Sequence, residues 1–263
     1  MADGFFHDLP LGVLIPFLLV LLLVATEGGF RLGFRDKVRM SEPAKSQVGT
    51  IEAALLGLLG LLLGFTYSMA SSRYDARKAL VGAEITAVRS TLHRARLLPD
   101  EIAEPAEVLI HAYVRARIAS AESPDEDRER VDAETRRLQE RLWELADLDA
   151  GAPKRPEMSS LFVQGLNAMG EAKTRRDSAL ADHVPTSVLT LVFFATTIVF
   201  GVVGYAFGLA GERGLLATSL LALLIALVVL VVLDLDRPRR GLVKVGQQGM
   251  IRLRDGLDPS PPL

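Results

Sequence analysis

Four apolar runs divide the chain, and the polar segments between them differ greatly in length. The second run, 51–70, has about 20 residues with a single charge, Glu52, near its start. A helix of about that length crosses a hydrocarbon core of about 30 Å. The runs at 9–25, 186–209 and 215–233 are of comparable length, so the pattern predicts four transmembrane helices.

The second run does not stop where its apolar character ends. The sequence turns polar after Ala70, but no Gly follows until Gly82 and no Pro until Pro99. Because Pro is the strongest helix breaker, the pattern predicts one helix that begins in the membrane and continues out of it toward Leu98. About 50 residues at 1.5 Å each would make a rod of about 75 Å.

The polar segment at 72–184 is too charged to cross a membrane, and its apolar residues recur at helical spacing. The end of the rod carries a heptad seam of Val, Ile, Leu and Ala. Further helices are expected at 102–120 and at 157–183. Between them a third helix is expected to start with Ser123 as N-cap and Pro124 in its first turn. Four helices with apolar stripes are typical of a bundle.

The expected fold is therefore all-α. It is a polytopic membrane protein with four transmembrane helices and a helical-bundle insert between the second and the third. The expected division is transmembrane helices 1 and 2 at 1–71, a soluble insert at 72–184, transmembrane helices 3 and 4 at 185–236, and a polar C-terminal tail at 237–263. A basic loop at 27–48 is expected between the first two spans.

The second and third runs carry glycines at the same spacing of i, i+3 and i+7. These helix-packing candidates are Gly57, Gly60, Gly64, Gly201, Gly204 and Gly208. Small residues on one helix face let another backbone approach closely in lipid, where packing drives helix association. The two runs are expected either to pack on each other or to surround a common axis. A chance recurrence in glycine-rich runs would explain the repeat as well.

The face of the second run opposite its glycines is largely aliphatic. If copies of this helix surround an axis, that face would form a narrow hydrophobic constriction, which gates by dewetting. The pore-lining candidates are Glu52, Leu55, Leu59, Leu62 and Thr66. Glu52 lies about one turn from Gly49, so contact with interfacial water is an alternative to an intramembrane role. For the Thr66 hydroxyl the alternative is a hydrogen bond to its own helix.

Composition changes this picture mainly by exclusion. The 263 residues are 49% hydrophobic and contain no cysteine, which excludes disulfides, thiolate metal sites and cysteine nucleophiles. No Walker, Rossmann, zincin or nucleophile-elbow spacing is present, and the four histidines are scattered. The net charge of −2 gives no field that would attract nucleic acid. We therefore expect no enzymatic activity, no cofactor, no bound metal and no nucleic-acid partner.

The charges that flank the spans carry two further expectations. Asp234, Asp236 and Arg237 follow the last run and are interpreted as a solvated helix end. Near the membrane, the insert side carries about ten Lys and Arg against six on the other side, which favours a cytoplasmic insert in the cell membrane. The first span alone predicts the reverse, because no Lys or Arg precedes it and five follow.

Two stretches resemble a known family. The first is GFTYSMASSRYDARKALVGAEITAVRSTLHRARLLP, at 64–99. It is similar to the bestrophin-like membrane proteins, a family of unknown function with a Gly/Leu-rich second span, an F-S/T-x-S-M-A exit and an R-Y/F-D-x-R start to the following helix. The second stretch, Asp234-Leu-Asp236-Arg-Pro238-Arg-Arg-Gly241, resembles the family's D-x-D-x-P-x-x-G close.

The resemblance implies four spans around a helical insert. True bestrophins are homopentameric anion channels whose second helix lines the pore, so it also implies a pentameric channel for inorganic anions in the lipid bilayer. This chain has no aromatic neck in its second span and no acidic run after the fourth like a bestrophin calcium clasp, so calcium gating is not implied. The alternative function is a non-conducting membrane scaffold or sensor whose insert binds a protein partner, which heptad seams and charged faces would serve equally well.

Reporter fusions at Pro153 and at Gly211 should give opposite topology readings, because four spans place the insert and the last short loop on different sides of the membrane. The measurement is the activity of fused alkaline phosphatase and the fluorescence of fused green fluorescent protein at each site. Equal readings at the two sites would contradict the four-span count.

Overall fold

The computed structural model describes residues 11–123, 127–151, 154–237, 243 and 245–257, and these residues form helices and no strand. The helices are α1 Leu11–Asp36, α2 Glu42–Ala95, α3 Asp100–Glu122, α4 Arg128–Gly151, α5 Pro156–Ala181, α6 Thr186–Ala210, α7 Leu215–Asp236 and α8 Gln248–Leu257. Among the described residues, four helical stretches are long and apolar enough to cross a membrane, in α1, α2, α6 and α7. The all-α fold with four membrane-type helices is thus confirmed.

The chain divides into two compact units that share α2. The membrane unit holds the described residues up to Tyr74 and from His183 through Val243. The insert unit holds Asp75–Asp182 and the described residues from Val245 on. The α2 helix is 54 residues long, or about 81 Å, as the uninterrupted pattern after Ala70 predicts.

Close backbone contact between α1 and α6 organises the membrane unit. A Cβ atom at Gly29 would overlap the carbonyl oxygen of Gly201, and one at Gly204 would overlap that of Thr26. A Cβ at Gly208 would likewise overlap the carbonyl oxygen of Phe30. Only glycine permits such an approach, which is how helices associate in lipid. The contacts advance in the same direction along both helices, so α1 and α6 run parallel.

This contact explains why α1 is longer than the sequence predicts. Instead of a loop over 27–48, α1 continues to Asp36 and α2 begins at Glu42. Glu27 accepts a hydrogen bond from Arg31 at 2.8 Å, the i, i+4 pair expected of a helical continuation. Gly33, one turn after Gly29, is held against the backbone of α6 as well. The polar end of α1 therefore stays helical because α6 supports it.

The C-terminal end of α6 is closed by Gly211 and by a lysine of the segment that follows α1. Gly211 ends α6 in the left-handed conformation with φ +82°, and its N–H bonds back to Phe207 O at 2.9 Å. The Lys37 ammonium donates to the last carbonyl of α6, Ala210 O, at 3.1 Å. A cation at this position also matches the negative end of the helix dipole.

The insert unit has a core shared by the end of α2 and by α3, α4, α5 and α8. Among its fully buried side chains are Tyr113, Phe162 and Met250. The tail contributes α8, a helix that the apolar pattern does not predict. The expectation that Ser123 is an N-cap is wrong: it ends α3, and its hydroxyl donates to Ala119 O at 2.7 Å. The neighbouring Pro124 lies outside the described residues.

Replacing Gly29 with Ala should destabilise the membrane unit by about 1–3 kcal/mol, because the new methyl group forces two backbones apart. The control is Gly28→Ala, which has the same gain in helix propensity, since an added Cβ there meets nothing within 4 Å. Thermal unfolding of the detergent-solubilised protein, followed by circular dichroism, measures both. Equal melting temperatures for the two variants would contradict the close α1–α6 contact.

Candidate functional site

The membrane half of α2 has one face covered by its own chain. Leu59 and Leu63 are 1% and 5% exposed and pack against Val192, Val199 and Val203 of α6. The helix α6 therefore contacts α1 with one side and α2 with another. The spacing of the two leucines, i and i+4, places the covered face on one side of the helix.

The opposite side of α2 is uncovered along most of the helix. A stripe of exposed positions recurs there at spacings of three, four and seven, which keep residues on one helix face. Within the membrane unit this open stripe consists of Ser46, Thr50, Gly57, Leu61, Gly64 and Ser68. Leu61 is its only large apolar residue and is 54% exposed.

The pore-lining candidates from the sequence do not lie on the open stripe. Leu59 and Thr66 are 1% and 2% exposed, and the Thr66 hydroxyl donates to Leu62 O at 2.7 Å. A residue buried inside its own chain is closed to a passing ion, so we leave these two out of the candidate pathway. Glu52, Leu55 and Leu62 are half-buried on the same side of α2, and their role in a pore stays a prediction.

The two glycine stripes have different surroundings. Gly204 and Gly208 contact the backbone of α1, and an added Cβ at Gly201 would lie 3.9 Å from Ala25 O. At Gly57, Gly60 and Gly64 an added Cβ would meet nothing within 4 Å. The two stripes therefore do not face each other within one chain. A packing role for the glycines of α2 stays a prediction that needs a second copy.

A buried ion cluster fixes the other end of α2 inside the insert unit. Glu84 is 0% exposed and accepts hydrogen bonds from Arg117 Nε at 2.6 Å and Arg176 Nη1 at 2.6 Å. The Tyr113 hydroxyl donates to the same carboxylate at 3.0 Å. Arg117 also donates to Asp177 Oδ1 at 3.1 Å. Charge-assisted bonds of this kind are short and strong when both partners are buried.

The cluster also holds the C-terminal segment. Arg176 Nη2 donates to Gln247 Oε1 at 2.8 Å, directly before α8. Met250 and Leu253 of α8 then pack into the core of the insert unit. The segment after α7 is thus anchored by one polar contact and by an apolar helix face.

Burial and neighbouring charges determine the protonation state of each group in the cluster. Burial would raise the pKa of Glu84, but Arg117 and Arg176 outweigh it and hold that pKa below its usual range. Burial would likewise raise the pKa of Asp177, but Arg117 and Lys173 outweigh burial, so the pKa of Asp177 is lowered overall. Burial and the nearby Glu84 raise the pKa of Tyr113 well above its usual value. The carboxylates stay charged and the phenol stays neutral near pH 7, so the cluster is a cross-link and not a proton-transfer site.

The end of α7 differs from the solvated helix end that the sequence predicts. Asp234 and Asp236 are 2% and 0% exposed, so that expectation is wrong. Asp236 Oδ1 accepts the backbone N–H of Val184 at 2.8 Å, and Asp234 Oδ2 accepts that of Val243 at 2.8 Å. His183 Nδ1 lies 3.5 Å from Asp236 Oδ2. Chain segments before α6 and after α7 cover the helix end and supply the donors.

Sequence reasoning misses several of these residues, though signals exist for some. The spacing Gly29-x-x-x-Gly33 is a helix-packing signal that stands in the presumed loop. The partners of Glu84 lie far along the chain, at Arg117 and Arg176, and no local pattern links them. In the part of the chain that the structure describes, no group of three or more His, Asp or Glu is placed to hold a metal ion.

Comparison with known families now identifies the chain. The Bestrophin-like domain matches residues 19–250, which is most of the sequence. This chain belongs to the Bestrophin-like family. A comparison with curated proteins found no match.

Solved structures of a bacterial bestrophin homologue from Klebsiella pneumoniae share the fold of this Bestrophin-like chain. A tryptophan-to-alanine variant of that protein is 13% identical, with a TM-score of 0.67 over 92% of this chain and 95% of the other. A leucine-to-threonine variant is 15% identical, with a TM-score of 0.64 over 92% of this chain and 97% of the other. At such low identity the likeness concerns the fold alone.

Replacing Glu84 with Gln in this Bestrophin-like protein should destabilise the insert unit by about 3–5 kcal/mol, because two buried arginines lose the negative charge of the carboxylate that they share. Trp143, the only tryptophan, lies in that unit, so its fluorescence during thermal unfolding provides the measurement. The control Glu171→Gln removes an exposed pair with Arg175 and should cost less than about 0.5 kcal/mol. Similar losses for both would contradict the cluster's role.

The stability of the insert unit should also fall in acid. A carboxylate whose pKa is lowered on folding stabilises the fold above its unfolded pKa, about 4.3 for Glu, and that stabilisation disappears as pH falls through the folded pKa. The melting temperature read from Trp143 should therefore drop below about pH 4.3, and less steeply in Glu84→Gln. Parallel pH profiles for both proteins would show that Glu84 is not the titrating group.

Proposed function

We propose that this protein forms a homo-oligomeric ion channel in the cell membrane, with the open stripe of α2 lining the pore. Membership in the Bestrophin-like family supports a channel over an enzyme. The low burial of α2 by its own chain supports this helix as the one that lines the pore. Only 11% of its most apolar window is buried by its own chain, against 22% to 39% for the other three spans.

The composition of the open stripe carries this proposal. A face that meets lipid is covered by large apolar residues, as on α7, where Leu216, Leu220 and Leu224 are 76%, 57% and 58% exposed. Within the apolar run the open stripe instead presents two glycines and a hydroxyl, Gly57, Gly64 and Ser68, around a single leucine. Polar and small residues on an uncovered membrane helix are typical of a water-filled path or of close contact with another copy.

Leu61 is the proposed gate. It lies between Gly57 and Gly64 on the open stripe, so its side chain projects further from the helix than those of its neighbours on this face. A ring of leucines around an axis forms a constriction that excludes water unless it widens. Half-buried Leu62, the neighbouring residue, lies about 100° around the helix and outside this ring.

The number of copies and the ion follow the resemblance to bestrophins. Five copies around the axis and inorganic anions are what bestrophin channels would lead us to expect, and the lipid bilayer surrounds α1, α6 and α7. The competing function is a non-conducting scaffold or sensor. A surface groove of the insert unit, lined by Trp143, Leu166 and Gly170, gives such a partner a place to bind.

Replacing Leu61 with Ser should raise basal conductance by roughly tenfold or more, because a hydroxyl lets water remain in the constriction. The measurement is the unitary current of purified protein in planar bilayers. Leu62→Ser is the matched control and should change the current little, since that side chain is half-buried in its own chain.

Two outcomes would overturn this assignment. If Leu62→Ser opens the channel and Leu61→Ser does not, the pore wall is the aliphatic face that the sequence predicts. If both variants are folded and oligomeric but conduct no more than protein-free bilayers, the scaffold function replaces the channel.

A further inference from the structure

We propose that the C-terminal end of α1 binds anionic phospholipids of the leaflet around it. The headgroup phosphate accepts hydrogen bonds from Arg31 and Arg35, and the apolar side chains of Phe34 and Val38 contact the acyl chains. These four residues are called the lipid-binding face. Lipid binding at this end of α1 does not depend on conduction, so it applies equally to a channel and to a scaffold.

The length of α1 places the lipid-binding face at the membrane surface. The helix has 26 residues, or about 39 Å, whereas the hydrocarbon core is about 30 Å thick. About six residues therefore extend beyond the core. The apolar run lies in the N-terminal part of the helix, so these are the polar residues Arg31–Asp36. Their side chains lie at the depth of the lipid headgroups.

Contact with α6 turns the two arginines outward. Gly29 and Gly33 lie on the side of α1 that touches the backbone of α6. Arg31 and Arg35 each follow one of these glycines by two residues, which turns the helix by about 200°, so both project from the opposite side. They are four residues apart and lie one above the other. Their side chains are 75% and 72% exposed, so a headgroup can reach both.

Much of the donor capacity of the two arginines is unused. Arg31 donates only its Nε, to Glu27 at 2.8 Å, and the same carboxylate also accepts two hydrogen bonds of 3.2 Å from Arg213. Arg35 lies 3.7 Å from Asp36, which is beyond hydrogen-bond length. Within the part of the chain that the structure describes, the terminal nitrogens of both arginines donate to no residue. Two guanidinium groups are thus left to bind a phosphate.

The charge balance at this end of the membrane unit favours an anion. Over 27–45 and 210–214 the chain has six Lys or Arg and four Asp or Glu. Lys37 is engaged by Ala210 O, and Arg213 is engaged by Glu27 and by the ring of Phe30. The exposed arginines therefore carry the excess positive charge at the surface. Basic residues next to a membrane helix attract anionic lipids.

Apolar side chains beside the arginines favour a lipid over a soluble anion. Phe34 is 55% exposed, and Val38, in the turn after α1, is 94% exposed. The ring of Phe34 stacks on that of Phe30, with 5.9 Å between the ring centroids, so its position is supported. Aromatic and aliphatic side chains next to Arg are typical of the boundary between headgroups and acyl chains. A soluble phosphate offers these apolar side chains nothing to contact.

The test is lipid binding to the detergent-solubilised full-length protein, measured by native mass spectrometry. Phosphatidylglycerol and phosphatidylcholine with the same acyl chains are added separately, since only the first has a net negative headgroup. We expect the wild type to bind phosphatidylglycerol about tenfold more tightly. The double variant Arg31→Gln/Arg35→Gln should reduce this preference by about fivefold or more, because it removes both phosphate donors.

Matched controls separate the lipid-binding face from bulk charge and from soluble anions. Arg130→Gln/Arg175→Gln removes the same charge from the insert unit, where the two side chains are 80% and 72% exposed, and should keep the preference. Phe34→Ser should weaken the binding of both lipids by a similar factor, because both lose the same apolar contact. Inorganic phosphate in excess should not displace phosphatidylglycerol. The elution volume and melting temperature of each variant are measured in parallel.

The outcomes decide between a lipid and the other occupants of this surface. Loss of the preference in the Arg31→Gln/Arg35→Gln variant alone supports the inference. Equal binding of both lipids by the wild type, an unchanged preference in that variant, or an equal loss in the control variant overturns it. If inorganic phosphate displaces the lipid and Phe34→Ser has no effect, the face binds a soluble anion instead. If the double variant changes the elution volume and leaves lipid binding unchanged, a second copy of the chain covers the face, and the inference is wrong.

Discussion

Backbone contact between α1 and α6 is the interaction on which the membrane unit depends. Lipid offers no hydrophobic drive for helices to associate, so close packing must hold them together. Glycines such as Gly29 and Gly204 allow that packing by removing every side-chain atom from the contact. With α1 fixed on one side, α6 presents its other side to Leu59 and Leu63. The face of α2 left over is the open stripe.

The same helix is held by a different force in the insert unit. There Glu84 is locked by two arginines and a tyrosine, and apolar neighbours such as Val88 complete the core. Close backbone contact at glycines is effective in the hydrocarbon core, because helix association there depends on packing and not on the exclusion of water. Buried ion pairs suit a polar bundle, where they fix one arrangement through geometry more than through net energy. Each half of α2 is thus oriented by the chemistry of its own surroundings.

Much of this fold could be predicted from sequence because its elements are long and strongly patterned. The four spans and the unbroken α2 follow from run length and from the absence of Pro before Pro99. What could not be predicted depends on tertiary contact. The helical end of α1 needs α6, and burial of Asp236 needs the distant N–H of Val184. Which face of α2 is open likewise depends on α6, and an isolated helix gives no sign of it.

The buried cluster also fixes the rotation of α2 about its own axis within the insert unit. Each residue of an α-helix turns by about 100°, so Glu84 meets Arg117 and Arg176 in only one rotational setting of α2. Val88, one turn further along the same face, packs into the apolar core in that same setting. Deleting one residue between Glu84 and Val88 would turn the two side chains about 100° apart, so the ion pairs and the apolar core could no longer form together.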